Sequence, residues 1–106
     1  MLQLLKVAIL VAAVSVTVVI NWSFTKAFFI FRNRCRSDLA ILPYGFAGIF
    51  VAIIVPFFGI TYLSFWAFSS LAPTIAGRLT IAVHAVWIFS ALLIALRNSQ
   101  RYWTNR

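Results

Sequence analysis

The chain has 106 residues, of which 64% are hydrophobic and 9% charged, and its mean hydropathy is +1.04. A soluble domain is about 45–50% apolar and about 25% charged, and one this small has too little interior to hide such a surface. Disorder, which needs low hydrophobicity, is excluded as well. Nine Lys and Arg stand against a single acid, Asp38, for a formal net charge of +8. In a soluble chain such cations suggest phosphate neutralisation. Here they flank apolar runs, where positive residues set membrane orientation and meet anionic head groups. The composition points to an integral membrane protein whose partners are membrane lipids and other membrane-embedded chains, not nucleic acid.

The first apolar segment is placed at about residues 5–31. Ala8 to Ile20 is apolar but for Ser15 and Thr17; Asn21, Trp22 and Ser23 interrupt it, and Lys26 precedes Ala27-Phe28-Phe29-Ile30-Phe31. One long tilted helix with Lys26 snorkelling accommodates this pattern. The alternative ends the span near Trp22 and lays residues 24–31 in the interface. The continuous helix is favoured. Lys6 ahead of an apolar core also suits a signal peptide, but no small-x-small cleavage site follows and the run is long for one.

A basic connection at about residues 32–44 comes next. Its Cys35 is the chain's one cysteine and stands among Arg32, Arg34 and Arg36. It has no partner for an intrachain disulfide or a cysteine-based metal site. Palmitoylation is open to a juxtamembrane cysteine, and an ordinary reduced thiol is the favoured reading. Asp38 is expected to cap a short turn or to pair with Arg34 or Arg36.

The second span is placed at about residues 45–71, bracketed by Pro43 and Pro73. These 27 residues make about 40 Å of helix, more than the roughly 30 Å of hydrocarbon they must cross. Pro56 supplies a kink, because proline lacks the N–H and clashes with the preceding turn. A short outer loop at 72–77, a third span at about 78–97 and a basic tail at 98–106 complete an all-α, three-span single domain. Lys26, Arg32, Arg34 and Arg36 in the first connection share a side with Arg97, Arg101 and Arg106 in the tail. That side carries seven cations against two, Lys6 and Arg78. The positive-inside rule then gives N-terminus out and C-terminus in. The location expected is a bacterial inner membrane.

Burial alone does not pair helices in lipid, whereas small residues let backbones approach closely. On the second span Gly45, Gly48, Ala52, Pro56 and Gly59 fall within about 80° of arc, and on the third Gly77, Thr80, His84, Trp87, Ala91 and Ala95 do the same. These stripes are expected to pack the second helix on the third. Tyr44, Trp103, Tyr102 and Trp22 suit the interfaces, and the aromatics between Phe57 and Phe68 suit lipid.

His84 is the one ionisable side chain well inside a span. Such residues often carry function, and His84 is the one candidate for a cofactor. A haem or metal site needs further ligands or a large cavity, so a structural hydrogen bond, to Thr80 one turn back or to a neighbouring helix, is the favoured role. No cofactor and no metal are expected. With one acid in the chain there is no carboxylate pair for acid–base catalysis, and no mid-span charge to couple ions. An enzyme is not expected.

The reading that follows is an accessory, assembly or inhibitory (immunity-type) partner of a larger membrane complex. The alternative is a self-assembling lesion or pore former. Three spans with the N-terminus out and a basic tail resemble the layout of class I phage holins; the likeness is one of layout and length, with no motif to carry over. A third reading is a quinone- or haem-associated redox subunit using His84.

Overall fold

The computed structural model describes residues 1–104, and Arg106 of the basic tail lies outside the described residues. Helix α1 (Leu2–Arg34) is followed by α2 (Asp38–Ile49), a π-helical turn (Phe50–Ile54), α3 (Val55–Ala67) and α4 (Pro73–Tyr102). No strand occurs among the described residues. The π-helical turn joins α2 and α3 without a break, so three helices, Leu2–Arg34, Asp38–Ala67 and Pro73–Tyr102, are long and apolar enough to cross a membrane. The molecule measures 53 × 21 × 18 Å. Its long dimension is that of α1, whose 33 residues rise about 50 Å.

The helix limits differ from those read off the sequence, and each difference has a local cause. Residues 24–31 continue α1 as one helix, with Arg32 and Arg34 in its last turn, where cations oppose the negative end of the helix dipole. The chain then leaves helical geometry at Cys35 and re-enters at Asp38, whose carboxylate lies in the first turn of α2. Anions are favoured there. The connection is thus three residues long, and Pro43 sits inside α2. At the other end α3 stops at Ala67, and Pro73 opens α4 as its first residue. Proline is suited to that position, because its missing N–H has no helical acceptor anyway.

Helix α1 is the spine. It touches α2, the π-helical turn, α3 and α4, and its contact with α4 is the most extensive in the molecule. By contrast, no Cα of α2 or of the π-helical turn comes within 8 Å of one in α4. The core gathers around Trp87, which is fully buried among Leu10, Ile60 and Ala67, with Val14, Leu63 and Val83 packed around them.

The small residues of the second span therefore have a different neighbour from the one their periodicity suggested. A Cβ at Gly48 would collide with the ring of Phe24, and one at Gly45 would come 3.3 Å from Phe28 Cε2. Both rings belong to α1. Gly59 faces open space, with nothing within 4 Å of the same position. Gly48→Ala should accordingly destabilise the bundle by about 1–3 kcal/mol, the cost of overpacking. Gly59→Ala should stabilise it by up to about 1 kcal/mol through helix propensity. Unfolding in mixed micelles followed by circular dichroism reads both; equal effects would contradict these placements.

Candidate functional site

Three features lie along the bundle where chemistry or binding is concentrated. The first is the π-helical turn and Pro56 within the second span. Pro56 has no N–H, so the carbonyl of Ala52, four residues earlier, loses its α-helical donor. The π-helical turn just before it, in which the Val55 N–H donates to the Phe50 carbonyl, shifts the ladder at the same place. Asn21 on α1 answers this. Its Nδ2 donates to the Ala52 carbonyl at 3.2 Å and to the Thr17 carbonyl at 2.9 Å, and the residue is 3% exposed. An amide in an apolar run is thereby satisfied by the carbonyl that proline strands.

The second feature is a hydrogen-bonded chain on the third span. The indole Nε1–H of Trp87 donates to Nδ1 of His84 at 2.9 Å. Indole can only donate, so Nδ1 accepts and the proton of the neutral ring belongs on Nε2. Nε2 then donates to Thr61 Oγ1 at 2.8 Å, and that hydroxyl donates to the Phe57 carbonyl at 2.7 Å. Phe57 also stacks on the imidazole, 4.4 Å between centroids. The partner of His84 is thus on α3, while Thr80 donates to the Ala76 carbonyl instead. Both ring nitrogens are engaged. Among the described residues no three of His, Cys, Asp and Glu come together.

The third feature is an apolar groove of about 450 Å³ between the three spans. Phe24, Phe28 and Phe29 of α1 form one wall, Gly45, Gly48 and Ala52 a second, and Ala91 and Ala95 of α4 a third. Gly45, Gly48 and Ala52 of the one stripe and Ala91 and Ala95 of the other converge here and face each other across the groove, while α3, the other half of the second span, packs against α4. Of the remaining stripe residues, Thr80 and Trp87 are buried, Pro56 is half-buried and Gly59 is exposed.

Comparison with protein-family models, with curated proteins and with solved structures finds no match to this chain.

The cations read as head-group contacts separate into two kinds. Arg34, Arg36, Arg97 and Arg101 are exposed. Lys26 lies over the rings of Trp22 and Tyr102, at 4.9 and 5.5 Å from their centroids. Arg32 is 7% exposed. Its Nη1 donates to the Thr104 carbonyl at 2.6 Å and to Asn33 Oδ1 at 3.3 Å, and its Cζ sits 3.3 Å from the centroid of the Trp103 ring. Asp38 stands beside it, 3.7 Å from Nε.

Residues that the sequence reading did not single out carry several of the hydrogen bonds between spans among the described residues. Gln3 Nε2 donates to the Ala67 carbonyl at 2.7 Å, and Asn33 donates to the Tyr102 carbonyl. Asn98, placed in the tail from sequence, is inside α4 and 2% exposed; it donates to the Trp22 carbonyl at 3.1 Å and to Thr25 Oγ1 at 2.6 Å. The usable signal was an amide side chain within or beside an apolar run.

Asn21→Leu should cost about 1–2 kcal/mol, the scale of an interhelical hydrogen bond in a bilayer. Adding Pro56→Ala, which restores an N–H for the Ala52 carbonyl, should recover most of it; a double mutant as weak as Asn21→Leu alone would refute the pairing. His84→Ala should cost a similar amount and leave biological activity largely intact, and complete loss of activity in a protein that folds normally would make the histidine functional.

Proposed function

We propose that this is a small polytopic membrane protein with no catalysis of its own, acting as an accessory, assembly or inhibitory partner of a larger membrane complex. In this reading it lies in a bacterial inner membrane with the N-terminus outside and the basic ends of α1 and α4 in the cytoplasm, as the positive-inside rule requires. The second span bends at the π-helical turn and Pro56, two recognised causes of helix kinks.

The observation that carries the proposal is the outer face of α3. Val55, Tyr62 and Trp66 stand exposed on one side of the helix with Gly59 among them, and Gly59 has free space where a Cβ would be. A glycine notch between large side chains lets a neighbouring helix come close, which is the usual basis of helix association in lipid. The polar side chains of the third span support binding over conduction. Thr80 and Ser90 donate to carbonyls of their own helix, and His84 is held by Trp87 and Thr61. A water-filled lesion needs such groups on a wet face, and a haem ligand needs a ring nitrogen that is free.

Tagged protein purified in mild detergent, with everything retained identified by mass spectrometry, tests the reading. A second membrane protein in stoichiometric amount is the expected result. Gly59→Leu should lose that partner while keeping its own fold, because a Cβ at this exposed position has nothing within 4 Å. A pure homo-oligomer would overturn the accessory reading in favour of the pore-forming one, and liposome leakage would then be the assay.

A further inference from the structure

We propose that the groove between the three spans holds a hydrocarbon chain of an anionic phospholipid, and that Arg32 receives its phosphate. The inference is independent of the outer face of α3 and concerns a different surface.

The lining chemistry comes first. The walls are carbon almost throughout, and Asn21 and Thr25 supply the polar lining atoms. Asn21 is already committed to backbone carbonyls, and Thr25 donates to the Asn21 carbonyl at 2.8 Å. A soluble ligand gains little from such a surface, whereas a lipid chain loses nothing by entering it. The groove runs along α1 from Asn21 to Phe29, a rise of about 12 Å, long enough for about ten carbons of an extended alkyl chain. Its volume of about 450 Å³ lies within the range of about 300–1,000 Å³ typical of small-ligand sites.

A cation lies one helical turn beyond the groove, outside its lining residues. Phe29, a wall residue, sets its ring edge-on to Trp103 at 5.9 Å, and Trp103 in turn carries the Arg32 guanidinium at 3.3 Å. Arg32 is also one turn beyond Phe28 and Phe29 on the same face of α1. The guanidinium is more than nine-tenths buried, yet its Nε is without a hydrogen-bond acceptor. The Asp38 carboxylate at 3.7 Å is beyond hydrogen-bonding distance, and its side chain is 77% exposed. A buried cation with an unused donor is costly, and planar guanidinium is well shaped for phosphate oxygens. Exposed Arg34, Arg36, Arg97 and Arg101 make the same end of the bundle attractive to anionic lipid.

The test is native mass spectrometry of the purified full chain, titrated in detergent with phosphatidylglycerol or with phosphatidylcholine of the same acyl chains. Phosphatidylglycerol should be retained on the order of tenfold better, the scale of one charge-assisted hydrogen bond. Arg32→Gln should bring the two lipids to parity, while Arg97→Gln should leave the preference largely in place. Ala95→Phe, which fills the groove from α4, should lose both lipids. Asp38→Asn, which removes the neighbouring carboxylate, should strengthen phosphatidylglycerol retention and serves as the second arm should Arg32→Gln fail to fold. Inorganic phosphate should not displace the lipid. Equal binding of the two lipids by the wild type, lipid retention by Ala95→Phe, displacement by inorganic phosphate, or weaker retention by Asp38→Asn would each overturn the proposal.

Discussion

A backbone carbonyl in hydrocarbon must find a donor within the protein, because water is absent. The second span breaks that rule at Pro56, which leaves the Ala52 carbonyl without its helical N–H. Asn21 restores the balance from α1. The same arrangement recurs at two helix ends, where the last carbonyls have no helical partner. Gln3 donates to Ala67, the last residue of α3, and Asn33 to Tyr102, the last residue of α4. All three donors are amides on α1, so one helix supplies the carbonyl partners that the other two lack. This is why α1, and not the second span, is the element around which the bundle is built.

The spans themselves were legible, because about 20 apolar residues have few other uses. Their ends were less so. Proline served as a boundary marker at Pro73, where it is the first helical residue, and misled at Pro43, which lies within α2. The amide donors were visible as residues and invisible as contacts. Asn21 looked like an interruption of the first run and Asn98 like part of the tail, because the acceptor in each case is a backbone carbonyl that every residue possesses. Only Pro56 gives such a carbonyl a sequence address, and the pairing of a mid-span amide with a mid-span proline is the readable form of it.

The small-residue stripes show a different limit. A periodicity of about 100° per residue says which positions share a face, and Gly45, Gly48 and Ala52 do share one. It does not say which helix the face meets. Gly48 is filled by Phe24 and Gly45 lies against Phe28, so the glycines admit aromatic rings of α1 in place of the backbone of α4. His84 was legible as the one polar group needing a partner in its span. That its partners are Thr61 and Trp87 depended on how α3 and α4 meet, which no single helix face encodes.

The rings in those notches also account for the groove. Glycine on α2 and alanine on α4 would let the two backbones come together if nothing stood between them. Phe24 and Phe28 project from α1 into the glycine positions and, with Phe29, line the same space as Ala91 and Ala95. Alanine side chains are too short to cross the gap this leaves, and the Cα atoms of α2 stay beyond 8 Å from those of α4. Longer residues at Ala91 and Ala95 would have closed it at no cost to hydrophobicity. The open space is therefore a product of side-chain size on three helices at one depth, one helical turn from Arg32, the one buried arginine among the described residues. That coincidence of an apolar slot and a buried cation is the chemistry of an amphiphile, and it arises in the half of the molecule where the proline-stranded carbonyl, the π-helical turn and Asn21 already fix how α1 and the second span meet.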